Sequence, residues 1–215
     1  MKLLSIKMSR LTVLFHFTRA QGQTYLPQAA AGLVERYSFA GSPQSIAELK
    51  ADRVDFKHGL FNGSAIESLE IYDDGIVIES RSDTELIDAF LEDLLEWMQS
   101  EVGLSIFKSR TIDRMYESNL IFHADEKIMT PLKAMSALCG QVGEMVALNT
   151  GLEVEFQSAG FTVAADHTQI PSLKPSIFRL ERIFASEFPL NQFISVAPLK
   201  TSQHVEVLEK LESLF

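Results

Sequence analysis

At 215 residues and a formal net charge of -10, the chain is long enough to bury a core of its own. It is also acidic enough to be repelled by nucleic-acid phosphates and by anionic lipid headgroups. Hydrophobic residues make up 46% and charged residues 22%, and these ordinary values exclude a disordered chain. The single cysteine, Cys139, excludes an internal disulfide and a cysteine-based metal cluster, and it favours a reducing compartment.

The N-terminal residues resemble a secretory signal only superficially. Their apolar run, residues 11–17, is short, Lys7 and Arg10 interrupt the sequence before it, and no small-residue cleavage site follows. No stretch approaches the about 20 apolar residues that a transmembrane helix requires. We therefore predict a soluble cytoplasmic protein, in which either Met1 or Met8 is the native start.

The first half predicts strands, a helix and a clear hairpin. Pro27 opens a helical segment, because proline is well tolerated at the first helical position. Asp73-Asp74-Gly75 separates two runs of alternating apolar and polar residues, which indicates a β-hairpin. The strands predicted from branched and aromatic side chains or from this alternation are residues 11–17, 54–60, 66–72 and 76–79.

Residues 82–101 predict an amphipathic helix with an unusually acidic outer face. The segment carries seven acids and no lysine or arginine, while its apolar residues recur at steps of three and four. Ser82 and Glu85 have the spacing of an N-terminal capping box. The acids favour either recognition of a basic partner or simple solubility. For recognition, the candidate partner-binding residues are Asp88, Glu92 and Asp93.

The second half predicts another long helix, a hairpin and a C-terminal helix. Thr130-Pro131 marks the start of the first helix, and Gly151 stands where a left-handed C-cap belongs. Its predicted buried face consists of Leu132, Met135, Leu138, Val142, Met145 and Val146. A second stripe of small residues favours either close packing against a sheet or another helix, or close approach to a ligand: Ser136, Gly140, Gly143 and Ala147. Strands are predicted at residues 152–156, 161–165 and 176–184, and Thr201 begins the final helix.

These elements predict an α+β fold, in which an antiparallel, hairpin-rich sheet packs against two long amphipathic helices and a C-terminal helix. The strands come in hairpins instead of alternating singly with helices, so a parallel doubly wound sheet is not favoured. We expect one domain over residues 1–215. A subdivision near residues 103–112 would leave two similar halves, each with a hairpin beside a long helix.

Two sets of residues are candidates for binding a ligand. The strand at residues 176–184 places Arg179 on one face and Arg182 on the other, each among apolar side chains. A buried guanidinium is costly unless it is paired, so each arginine snorkels, meets a carboxylate or binds an anion. Residues 115–123 predict a further strand. If it continues to Asp125, His123 and Asp125 share one face and could reach one ion, although such pairs are common by chance and Asp125 also suits the start of a turn.

No pattern of residues identifies a reaction. The zinc-protease, P-loop, dinucleotide-binding and nucleophile-elbow motifs are all missing, so we predict no cofactor, no metal and no catalytic residue. A small basic cluster at Lys108, Arg110 and Arg114 could meet nucleic acid or the acidic helix of a neighbouring subunit. Apolar residues expected in loops (Phe188, Phe193 and Ile194) favour self-association.

We therefore expect a non-catalytic interaction or assembly subunit that acts through its acidic helix and binds a protein partner or a second copy. The alternative is an enzyme or an anion-binding protein whose site unites His123, Asp125 and Arg182 around an apolar cleft. Separated residues can form such a site without a sequence motif.

Overall fold

The structure, a computed structural model, describes residues 1–14, 17–19, 26–49, 52–101, 103–106, 113–170, 174–186 and 188–214. The strands are β1 (Lys2–Leu14), β2 (Phe17–Arg19), β3 (Arg53–Phe61), β4 (Ser64–Tyr72), β5 (Gly75–Ser80), β6 (Leu104–Ile106), β7 (Asp113–His123), β8 (Gly160–Val163), β9 (Phe178–Arg182) and β10 (Gln192–Ala197). The α-helices are α1 (Leu26–Tyr37), α2 (Ile46–Leu49), α3 (Thr84–Glu101), α4 (Ser136–Thr150) and α5 (Thr201–Ser213). A 3₁₀ helix over Glu126–Met135 leads into α4, and shorter ones lie at His167–Gln169 and Phe188–Leu190.

Eight strands form one antiparallel sheet in the order β3-β4-β5-β1-β7-β10-β9-β8, and β2 pairs with β6 separately. The predicted α+β class is confirmed. The order is symmetric about its centre. In each half a long strand (β1 or β7) is followed by helix, by a three-stranded meander, and by a final helix (α3 or α5). An approximate twofold axis therefore passes between β1 and β7, where Ser9 lies opposite Ser118.

One face of the sheet carries the helices and the core. In the first half α1 and α3 cover residues such as Leu11, Leu69 and Ile78, which are fully buried. In the second half α5 and the 3₁₀ segment cover a smaller cluster that includes Leu120 and Phe193. The opposite face of the sheet is polar, with charged side chains paired along and across its strands, as in Arg53–Asp55, Lys57–Glu70, Arg10–Glu79 and Arg179–Glu181.

The first-half predictions are largely confirmed. The hairpin turns at Asp73-Asp74 as expected, and α3 buries the predicted stripe. The predicted capping box is wrong, because the Asp83 carboxylate accepts the Leu86 N–H at 2.8 Å and Ser82 lies before the cap. The first strand starts at Lys2, well before residue 11; residues 15 and 16, which include His16, lie outside the described residues.

The second-half predictions hold less well. Gly151 does end α4 in the left-handed conformation, and its N–H donates to the Ala147 carbonyl. Residues 152–156, however, form no strand, and β8 pairs with β9 alone. The predicted buried face of α4 is wrong: no residue of that helix is buried. Phe193, expected to be an exposed loop residue, is fully buried in β10.

Candidate functional site

The acidic helix α3 is the first predicted interaction surface. Its carboxylates pair with cationic side chains of the same chain. Asp88 accepts hydrogen bonds from Lys200 Nζ at 2.6 Å, Tyr116 Oη at 2.8 Å and Arg114 at 3.2 Å. Glu92 accepts from Arg114 at 2.7 Å. Arg114, predicted to contact the acidic helix of a neighbouring subunit, therefore contacts the acidic helix of its own chain. The other two members of the basic cluster, Lys108 and Arg110, lie outside the described residues.

Asp93 is held equally firmly. Its carboxylate accepts two hydrogen bonds from the Arg36 guanidinium, at 2.7 and 3.0 Å, and one from Tyr37 Oη at 2.6 Å. The hydrogen bond from Arg36 lowers the pKa of Asp93, and burial raises the pKa of Tyr37. These contacts join α3 to α1, so all three predicted partner-binding acids already have intramolecular partners.

We expect Asp93→Asn to lower the free energy of unfolding by about 1–2 kcal/mol at pH 7, because a charge-assisted hydrogen-bond pair is lost. The folded-state pKa of Asp93 lies below its unfolded value, so this contribution is complete above about pH 4. It disappears as the pH falls through the folded-state pKa. Urea unfolding from pH 7 to pH 3 measures it, with the exposed Glu96→Gln as control. A constant difference between Asp93→Asn and wild type down to pH 3 would contradict this assignment.

The residues of the predicted ligand site do not converge. Arg182 lies on the helix-bearing face, where its guanidinium stacks 5.0 Å from the Phe193 ring centroid and donates to Asn191 Oδ1 at 2.9 Å. His123 pairs with Gln192, one position along from Phe193, and so points to the other face. Its Nδ1 is 2.8 Å from the Leu190 carbonyl. Asp125 caps the 3₁₀ segment by accepting the Lys127 N–H. Arg179 faces the polar side of the sheet.

A cavity of about 480 Å³ does lie beside Arg182, between the 3₁₀ segment, the start of α4 and residues 155–158. Its charged lining residues are Lys127, Lys133, Arg182, Glu126 and Glu155. Burial lowers the pKa of Arg182, and the charge of Glu126 acts in the opposite direction. With three cations facing two carboxylates, the cavity has little net charge with which to select an anion. The described residues also contain no group of three or more His, Cys, Asp or Glu side chains that could hold a metal ion.

A buried polar network, which corresponds to no sequence motif, connects α5 to the sheet. His204 is fully buried, with Ser118 Oγ 2.8 Å from its Nδ1 and Ser195 Oγ 2.9 Å from its Nε2. Ser195 donates its only hydroxyl proton to the Arg179 carbonyl at 2.8 Å. It must therefore accept from Nε2–H, which leaves Nδ1 to accept from Ser118. Every group is satisfied and shielded from solvent, so the network is structural.

The most unusual surface belongs to α4 and the chain that follows it, residues 136–156, which we call the arm. Leu148 is 79% exposed and Met145 59% exposed, although the helix carries one charge, Glu144. The chain after Gly151 runs back along α4. A Cβ on Gly143 would lie 3.0 Å from the Val154 carbonyl oxygen. Gly143 therefore packs against this irregular chain, and not against the sheet or second helix that the small-residue stripe predicts.

The exposed apolar side chains of the arm and of the residue before it are Met135, Leu138, Val142, Met145, Leu148, Leu152, Val154 and Phe156. At roughly 100 Å² apiece they present on the order of 800 Å², about what one partner contributes to a standard protein interface. An isolated helix of this length is also only marginally stable in water.

Comparison with known proteins adds no family to this description: no protein-family model matches the chain, and no curated protein is significantly similar to it in sequence. Among the described residues, no helix is both long enough and apolar enough to cross a bilayer.

Proposed function

We propose that the protein is an interaction or assembly subunit and that the arm is its docking element. The observation that carries the proposal is an apolar helix of 15 residues with no buried side chain. Burial of its exposed apolar area would stabilise a complex, because each Å² of apolar surface removed from water contributes about 25 cal/mol before the costs of association.

The arm supports association better than either of the surfaces predicted from the sequence. The acids of α3 are occupied by Arg36, Arg114 and Lys200, so recognition of a basic partner there would first have to break internal ion pairs. The cavity beside Arg182 has nearly balanced charges. We retain the cytoplasm as the proposed compartment, on the strength of the single cysteine.

Two carboxylates introduced by substitution on the apolar face of the arm test this proposal. We expect Met145→Asp/Leu148→Asp to abolish association, because each carboxylate would have to be desolvated in the interface. The fold should be unaffected, since neither side chain contributes to the core. The measurement is the mass of the species in solution by light scattering and, for protein purified gently from its host, by native mass spectrometry.

The matched control is Ile46→Asp, which places the same charge on an exposed isoleucine of α2, away from the arm. This variant should retain the wild-type mass. A double arm variant whose mass equals that of wild type under both conditions would refute the docking role of the arm.

A further inference from the structure

The two halves of the sheet differ in the cover of their last helix: α1 packs against α3 in the first half, and no α-helix of the described residues packs in the equivalent place on α5 in the second half. The halves correspond closely at the start of α3 and α5, where Thr84 and Thr201 each donate a backbone N–H to the other's hydroxyl, at 3.0 and 2.8 Å. These threonines are 117 positions apart. The same difference in residue number relates two buried residues of α3, Ile87 and Leu91, to two buried residues of α5, His204 and Leu208.

In the first half, α1 packs against a second face of α3. The Tyr37 ring lies 4.8 Å from that of Phe90 between centroids. A Cβ on Gly32 would lie 2.7 Å from the Trp97 ring, so only glycine permits this approach. Arg36 pairs with Asp93 at 2.7 Å. This face of α3 is therefore covered by an apolar contact, a glycine contact and an ion pair.

In the second half, the equivalent face of α5 is uncovered. The counterparts of Phe90, Asp93 and Trp97 are Val207, Lys210 and Leu214. Val207 is 40% exposed whereas Phe90 is fully buried, and Leu214 is 63% exposed. The 3₁₀ segment covers part of this half through Ile128 and Met129 but leaves these side chains in solvent.

The sequence of α4 matches that of α1 at several positions that this face of α5 would require, but the buried Leu33 of α1 corresponds to Gln141. Gly140 and Glu144 have the same spacing as Gly32 and Arg36. With these aligned, the exposed Leu138, Val142 and Met145 take the positions of Ala30, Val34 and Tyr37. A Cβ on Gly140 would meet nothing within 4 Å, and Gly140 lines the cavity beside Arg182, so the space at this glycine is open.

We propose that α4 of one copy packs on α5 of a second copy, reciprocally, as α1 packs on α3 within one chain. Gly140 then faces Leu214 of the second copy, Met145 faces Val207, and Glu144 pairs with Lys210. The charges are reversed relative to Arg36–Asp93, yet the pair remains complementary. The proposal rests on the docking role of the arm and specifies its partner.

The backbone at the start of α4 favours a second copy over closure of the arm on its own chain. Met135 and Ser136 both have right-handed helical backbone, so the 3₁₀ segment continues into α4 without the turn that would fold the helix back. The net charge of -10 opposes self-association in general, but α4 carries only one charge, Glu144, so contact through this helix adds little repulsion.

A charge-reversal cycle on the purified full-length chain tests the pairing. We expect wild type to form a dimer, at twice its 24.1 kDa. Glu144→Lys alone and Lys210→Glu alone should each raise the dimer dissociation constant about tenfold or more, because like charges then face each other. The double reversal should return it to within about threefold of wild type. Sedimentation equilibrium gives all four constants.

Three outcomes would overturn the proposal. A wild-type chain that stays monomeric at all concentrations excludes the second copy. A dimer weakened by Glu144→Lys but unaffected by Lys210→Glu indicates that two arms pack on each other. Single reversals that both weaken the dimer, without recovery in the double reversal, exclude the pair. In each case the docking role of the arm is judged separately, by whether the double aspartate variant loses the complex formed in the host.

Discussion

Between pH 7 and pH 4 the protein is expected to lose about 3 kcal/mol of stability through one side chain, His204. Burial lowers the pKa of this imidazole from 6.5 to about 4. Because both ring nitrogens are engaged and Nδ1 must accept from Ser118, the folded state holds the ring neutral. A shift of this size corresponds to about 3 kcal/mol, since one pKa unit is worth 1.36 kcal/mol.

The free energy of unfolding falls as the pH is lowered because the unfolded state binds the proton more readily than the folded state does. The unfolded chain protonates His204 as the pH falls below 6.5, whereas the folded chain does so only near pH 4. The stabilisation is therefore complete above pH 6.5, declines across this window, and is absent below about pH 4. Urea unfolding of wild type and of His204→Asn at half-unit steps measures it. His167→Asn, at a half-buried histidine of the short 3₁₀ helix His167–Gln169, is the control.

The asparagine variant should be less stable than wild type at pH 7 but should lack the decline assigned to His204. Its difference from wild type should therefore shrink as the pH falls. Parallel stability curves for wild type and His204→Asn between pH 7 and pH 4 would show that the imidazole is not held neutral by the fold.

The second large effect is expected where α3 and α5 begin side by side. The N–H groups of Thr84 and Thr201 lie in the first turn of their helices and have no helical acceptor. Each N–H donates instead to the hydroxyl oxygen of the other threonine, and both threonines are buried. Thr84→Val or Thr201→Val keeps the side-chain shape and leaves the opposite N–H unpaired. Each substitution should cost about 2 kcal/mol.

We expect the double variant to cost less than the two single costs combined. Breaking one of the reciprocal bonds loosens the contact on which the other depends, and neighbouring sites typically couple by 0.5–3 kcal/mol. Chemical unfolding of the four members of the cycle measures this coupling. Thr162→Val, at an exposed position of β8, should change stability by less than about 0.5 kcal/mol. Strictly additive costs would mean that the two helix starts are independent.

The sequence predicted well those elements whose signals are local. The turn at Asp73-Asp74-Gly75 needs only its own residues, and so does the left-handed Gly151. The helix of residues 82–101 could be read from its spacing because its apolar stripe meets a sheet that buries it. His204 shares a face with Thr201, Leu208 and Leu211 at helical spacing, so its burial was within reach of the same reasoning.

The sequence did not show which surfaces remain exposed. The stripe of α4 has the periodicity of a buried face, and periodicity cannot specify whether the covering element belongs to the same chain. The acids of α3 looked available for a partner because Arg36, Arg114 and Lys200 are far from them in sequence. The alternation of β9 places Arg182 among apolar side chains, and the structure buries it. Its neighbours Asn191 and Phe193 follow only from the pairing of β9 with β10.

Hydrogen exchange of the α4 amides tests the central claim, that the arm is a docking element, most directly. A 15-residue helix with no buried side chain should exchange quickly in a monomer, because its hydrogen bonds are open to water. The proposal predicts that these amides become strongly protected as the protein concentration, or that of its complex, rises. It also predicts that Met145→Asp/Leu148→Asp removes the protection while that of α3 is unchanged. Fast exchange of α4 at every concentration, identical in wild type and variant, would contradict a docking role for the arm.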